Sequence, residues 1–183
     1  MRDLLSDFDR LMAAGATPGR AVVTSVWGSA PLPEGACLLA TADGRLAGSV
    51  SGGCVEAATA TEVAEAIRRG TPKLITFGVS DETAWEVGLS CGGTIKVFVE
   101  PTVRREILEA ARGPGGVVVA TVVEGEGAGL ALVVRDDGSE SGFSHAGLLF
   151  WFISRTTEPA AAPFKRAIAA RLPYGNARQR RGR

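Results

Sequence analysis

The feature that most constrains this chain is a β pattern that occurs twice. Ala21-Val22-Val23-Thr24-Ser25-Val26 is echoed by Val118-Val119-Ala120-Thr121-Val122-Val123. Cys37 to Gly44, ending in Ala42-Asp43-Gly44, is echoed by Leu130 to Gly138, ending in Asp136-Asp137-Gly138. Each copy reads strand, glycine-containing loop, strand, Asp-Gly turn. The spacing is far too long for a solenoid. It predicts two related strand-turn-strand units within one mixed β-sheet. Only the first copy carries a Gly-Gly-Cys, so the repeat is architectural rather than catalytic.

Helical patterns flank these strands. Residues 2–14 place Leu4, Phe8, Leu11 and Met12 on one face, with Gly15 as the stop. Cys54 to Arg69 is the clearest helix, closed by Gly70 and Pro72. Val103 to Arg112 forms another, and Ala167 to Leu172 a short one. Strands are expected over 20–27, 36–41, 45–50, 73–77 and 94–100, and Asp81 to Val87 as a turn or two of helix. The predicted class is a mixed α/β (α+β) fold, a sheet with flanking helices and no Rossmann domain. Residues 1–143 form the domain, and 144–183 an Arg- and Pro-rich, partly disordered tail.

Charge supports that boundary. Residues 1–150 hold 12 Lys and Arg against 19 Asp and Glu, whereas 151–183 hold 8 against 1. The basic tail lacks interleaved aromatics or a nucleic-acid motif, so nucleic acid is not the expected partner. Three cysteines are too few for a secreted disulfide framework. No C-x-x-C spacing supports zinc, and the single His145 disfavours a Cys–His nucleophile pair. The first residues do not read as a signal peptide, and the longest apolar run, Ala146 to Ile153, is too short to span a bilayer. A reducing cytoplasm fits. Exposed β edges make a homodimer reasonable.

Two motifs carry chemistry: Gly48-Ser49-Val50-Ser51-Gly52-Gly53-Cys54-Val55-Glu56 and Gly88-Leu89-Ser90-Cys91-Gly92-Gly93-Thr94. Each sets a thiol beside a glycine pair. Such a thiol acts as nucleophile, metal ligand or sulfur acceptor. The alternative is two tight turns flanked by small buried cysteines. Ser51-Gly52-Gly53 precedes a helix, whose unpartnered N–H groups and dipole favour an anion, phosphate above all, and thiolate at Cys54. Glu56 suits the same dipole as a helix-end stabiliser, with a direct chemical role as the other reading. Cys91 lies in a loop at a strand edge. Cys37, inside a strand pattern, reads as a core thiol. There is no P-loop and no G-x-G-x-x-G after a strand, and Gly125, Gly127 and Gly129 read as a hairpin loop. Asp81, Glu82 and Glu86 beside Trp85 read as a solvated face. From chemistry alone the reading stops at an anion site and up to two reactive thiols.

Over residues 1–142 the chain resembles the XdhC/CoxI family, accessory proteins for xanthine dehydrogenase and carbon monoxide dehydrogenase maturation. The resemblance runs through Gly28-Ser29-Ala30-Pro31, Gly35-Ala36, Gly48 to Glu56, Trp85-Glu86-Val87-Gly88-Leu89, Cys91-Gly92-Gly93-Thr94 and Val97-Phe98-Val99-Glu100-Pro101. It implies a non-catalytic chaperone that binds a molybdenum cofactor of molybdopterin type (nucleotide form open), shields it from oxidation and hands it to an apo-molybdoenzyme. A cysteine-desulfurase-like partner supplies sulfur. The implied cofactor-binding residues are Ser51, Gly52, Gly53, Cys54, Glu56, Cys91, Gly92 and Gly93, with Cys54 and Cys91 as molybdenum neighbours or transient sulfur carriers. The alternative is a thiol-dependent sulfurtransferase working through a persulfide on Cys54 or Cys91. A third reading is an interaction module without cofactor. Two departures stand out. The Rossmann-like half of many relatives has no counterpart here, which implies a separate Rossmann-domain partner, a truncation or a changed reading frame. Leu32 stands where many relatives carry a basic residue.

Overall fold

A computed structural model describes residues 1–78, 92–125 and 127–142, together with the backbone of 167–172. The expectations placed on Asp81–Val87, Cys91, His145 and the rest of the tail lie outside these residues. A single 3-10 turn, Arg2–Leu4, leads into α1 (Leu5–Ala13). Then follow β1 (Gly19–Trp27), β2 (Cys37–Ala40), β3 (Leu46–Gly48), α2 (Glu56–Arg69), β4 (Lys73–Phe77) and β5 (Thr94–Glu100). The second part holds α3 (Arg105–Arg112), β6 (Val117–Val122), β7 (Ala131–Arg135), β8 (Glu140–Gly142) and β9 (Ala167–Leu172).

The mixed class holds, but the strands do not share one sheet. A five-stranded sheet has the order β3-β2-β1-β5-β4, and a four-stranded sheet the order β8-β7-β6-β9. Every strand pair among the described residues is antiparallel, so no Rossmann-type βαβ unit occurs there. The repeat is real nonetheless. β1-β2-β3 and β6-β7-β8 are the same meander, each preceded by a helix, and each takes a later strand on its first strand's outer side. The equivalence reaches single residues. Gly48 (φ +81°) pairs with Leu38, and Gly142 (φ +93°) pairs with Leu132. A Cβ on Gly48 would strike the Cys37 carbonyl, and one on Gly142 the Ala131 carbonyl. Only glycine tolerates both the left-handed backbone and that approach.

Burial explains why the units separate. Ala21, Val23, Leu38, Ala40, Ile95, Val97 and Val99 turn one face of the first sheet onto Ala60, Val63 and Ala66 of α2. Leu39 points the other way. It joins a second core with Phe8 and Leu11 of α1, Ile107 and Ala110 of α3, and Val117, Val119, Ala131 and Val133 of the second sheet. Strands buried on both faces read as apolar runs and need a layer on each side. One continuous sheet would have left these faces in water.

Two local expectations are corrected. Residues 167–172 pair with β6 as a strand rather than forming a helix, because the open edge of β6 offers backbone partners that outweigh alanine's helical preference. That pairing ties a segment from beyond residue 143 to the second sheet. In addition, α2 begins at Glu56 rather than Cys54, with Val55 as its cap, because the residues before it are folded around the Glu56 side chain. The Gly125–Gly129 stretch turns β6 into β7 as a hairpin, with Gly129 N–H donating to Val122 O.

Candidate functional site

The strand directions bring the chemistry-bearing loops to one end of the first sheet. β1, β3 and β4 finish there, and β2 and β5 begin there. Segments 28–36 and 49–55, together with Gly78 and Gly92–Gly93, therefore share one rim. Contacts bear this out. A Cβ on Gly93 would sit 3.0 Å from Ala30 N and 3.1 Å from Trp27 O, so the Gly92–Gly93 backbone lies against the 27–30 segment. A Cβ on Gly52 would sit 3.6 Å from the Pro31 ring. The two glycine pairs, 40 positions apart in order, thus pack on opposite parts of one short loop.

Within the 49–56 segment one carboxylate organises everything. Glu56 Oε1 accepts from the Ser49 hydroxyl, from Val50 N–H (3.2 Å) and from Ser51 N–H (2.9 Å). Its Oε2 accepts from the Ser51 hydroxyl (2.7 Å) and Gly53 N–H (2.8 Å). The serines then serve two further amides: Gly52 N–H donates to Ser49 Oγ and Val55 N–H to Ser51 Oγ, each at 2.9 Å. Gly52 and Gly53, both with positive φ, let successive amides turn inward. Partial burial raises the Glu56 pKa, but the Ser49 and Ser51 hydroxyls and the Ser51 amide more than reverse this. The net value is about 2. The group stays ionised at any physiological pH.

This geometry answers the phosphate expectation. The amides of Val50, Ser51 and Gly53 do hold an anion, and that anion is Glu56. Ser51, fully buried, is part of the brace, whereas Gly52, Gly53 and Cys54 are exposed. Cys54 lies on the outer turn of a rigid loop, two residues ahead of the helix. Gly92 is exposed and Gly93 buried. Cys91 lies outside the described residues. Among those residues, no three His, Cys, Asp or Glu side chains gather in a metal-binding group.

Cys37 is the core thiol its strand pattern predicts. It is buried, and burial pushes its pKa up although Arg20 pulls the other way. It lines a cavity of about 50 Å³ between the sheets with Arg20, Thr24, Phe98, Val119 and Thr121. Beside it, Arg20 and Glu100 form an ion pair with both side chains under a tenth exposed; Nε donates to Oε2 at 2.7 Å. Sequence reading missed this pair, since each residue looks like an ordinary strand-end charge. It also missed Ser49 and the exposure of Trp27. Alternating serines before a glycine pair, with a glutamate just beyond, was the available signal for the brace.

The fold and rim define a mixed α/β domain that presents an exposed, braced thiol beside two glycine turns. Residues 11–78 match the XdhC and CoxI family, so the resemblance read from the motifs stands over that segment. The molybdenum cofactor insertion chaperone PaoD of Escherichia coli is 41% identical over 80 residues, which span 42% of this chain and 24% of that protein. A chain of a crystal structure described as a xanthine dehydrogenase from Bacillus halodurans shares the fold, with a TM-score of 0.67 and 22% identity. That match covers 93% of this chain and 52% of the other. The chain thus matches about a quarter of the curated relative and about half of the solved one.

Proposed function

We propose that the protein holds a molybdenum cofactor of molybdopterin type at this rim and passes it to an apo-molybdoenzyme of the xanthine dehydrogenase or carbon monoxide dehydrogenase kind. The observation that carries the reading is the placement of Cys54: exposed, on a loop locked by Glu56, at the sheet end that also bears Gly92–Gly93. A soft sulfur donor suits a molybdenum–dithiolene centre. The named relative handles such a cofactor.

In this reading Cys54, with Cys91, is the sulfur-bearing contact to the metal. Gly52, Gly53, Gly92 and Gly93 leave backbone uncovered for the ligand. Ser51 and Glu56 keep the loop from collapsing when the thiol is engaged. The bound group supplies the metal and its sulfur chemistry; the chain supplies a fixed donor and a shaped edge. Residues 1–143 carry the function. A cysteine-desulfurase-like donor, a Rossmann-domain partner and a reducing cytoplasm complete the setting, and the edge strands β3 and β4 suit a homodimer.

The test is metal and pterin analysis of protein purified from cells that make the cofactor. Wild type should carry both, and Cys54→Ser should lose most of each without losing its fold. Wild-type protein free of molybdenum and pterin sinks the reading. A persulfide on Cys54 that turns over on an acceptor, with no cofactor bound, would move the assignment to a sulfurtransferase.

A further inference from the structure

Trp27 ends β1, and its backbone pairs with Thr94 at the start of β5, so its position is set by the ladder rather than by a loop. A register shift between Val23 and Ser25 precedes it. Val26 packs toward the α2 core while Trp27 stands 65% exposed, the most exposed of the described large apolar side chains. Bulges near strand ends commonly re-aim a side chain in this way. An indole is the largest apolar side chain, so leaving it in water forgoes more burial than any other residue could offer.

Its surroundings point to a ligand of particular shape. The next residue is Gly28, where a Cβ would stand only 3.5 Å from Gly93 Cα and 3.9 Å from Gly92 O. Gly92 is exposed, and among the described residues no atom lies within 4 Å of where its side chain would be. An exposed aromatic residue, its backbone held in the ladder, therefore stands on the segment that borders backbone left uncovered by any described side chain. The Cys54 loop reaches the same segment through Gly52 and Pro31. Apolar area with exposed peptide groups at its border suits a flat heterocycle, which stacks on the ring and bonds to the backbone through its edge.

We propose that Trp27 is the stacking platform for the planar pterin ring of the ligand carried at this rim, with the Gly92 backbone bordering the ring's polar edge. This rests on the cofactor reading above and names a residue that reading leaves out.

Trp85→Phe and Trp151→Phe together leave Trp27 as the sole tryptophan. Titrating that protein with a 6-substituted pterin monophosphate should quench its fluorescence. Trp27→Ala should weaken binding roughly 5- to 100-fold, the range that loss of one ring–aromatic stack gives. Trp27→Phe should recover most of it, and thermal unfolding should be unchanged in both variants. In parallel, molybdenum is measured in wild type and Trp27→Ala purified from cofactor-producing cells. Wild type that carries molybdenum while Trp27→Ala carries as much overturns the stacking role and leaves the cofactor reading standing. Wild type without molybdenum fails the cofactor reading; quenching that persists then still supports a pterin site on Trp27, and its absence ends both. A Trp27→Ala protein that keeps its cofactor but no longer captures the apo-enzyme makes the indole a protein contact and overturns the proposal.

Discussion

Replacing Glu56 with glutamine changes one oxygen to an amide and deletes a charge that five donors surround. Gly53 N–H loses its acceptor, and the new NH₂ group faces it as a second donor. The cost follows from the shifted ionisation. A fall from 4.5 to about 2 corresponds to about 3.4 kcal/mol of preference for the charged form. Solvent reaches the group, so about 1.5–2.5 kcal/mol is the expected contribution to stability. For a chain of this length that lowers Tm by roughly 3–10 °C. The sign with pH is fixed: the folded pKa lies below the unfolded one. Stability from Glu56 is therefore complete above about pH 4.5 and fades as pH falls toward 2. Calorimetry or circular dichroism at pH 7, 5, 4 and 3 should show wild type above Glu56→Gln by a gap that narrows with acid. A gap below about 1 °C at pH 7, or one equally wide at pH 7 and pH 3, refutes the brace.

Three further outcomes follow from the packing. Arg20→Met strands the Glu100 carboxylate in the interior and should cost about 3–5 kcal/mol in urea unfolding, whereas Arg20→Met with Glu100→Leu should recover most of the loss. Gly48→Ala and Gly142→Ala should each lose more than the roughly 1–2 kcal/mol of a left-handed alanine, because a carbonyl must also move; Gly44→Ala, with open space around it, should lose only that strain. Iodoacetamide followed by peptide mass spectrometry should label Cys54 in the native protein and Cys37 only after unfolding, since the first is exposed and the second is buried with a raised pKa. Equal labelling of the two would contradict the layer arrangement.

Periodicity and turn chemistry determined the local elements. β5 runs from Thr94 to Glu100, as its alternation indicates, β4 is the expected short strand from Lys73 to Phe77, and Asp-Gly turns join the outer strands of both meanders. The duplicated pattern likewise predicted the duplicated strand-turn-strand units, whereas the equivalence of Gly48 and Gly142 emerges only from the strand registers. These are short-range matters, in which each residue's steric freedom and apolar spacing act on near neighbours.

What the tertiary structure alone decided is longer in reach. It split the units into two sheets, because both faces of β2 are apolar and each needed its own cover. It made residues 167–172 a strand, since an open edge outweighs propensity. It joined Arg20 to Glu100, filled the amide nest with Glu56 instead of an outside anion, and left Trp27 at the rim. A sequence lists donors, acceptors and rings; only the folded chain decides which of them meet. Pairing energies act over a few ångströms, whatever number of residues lies between.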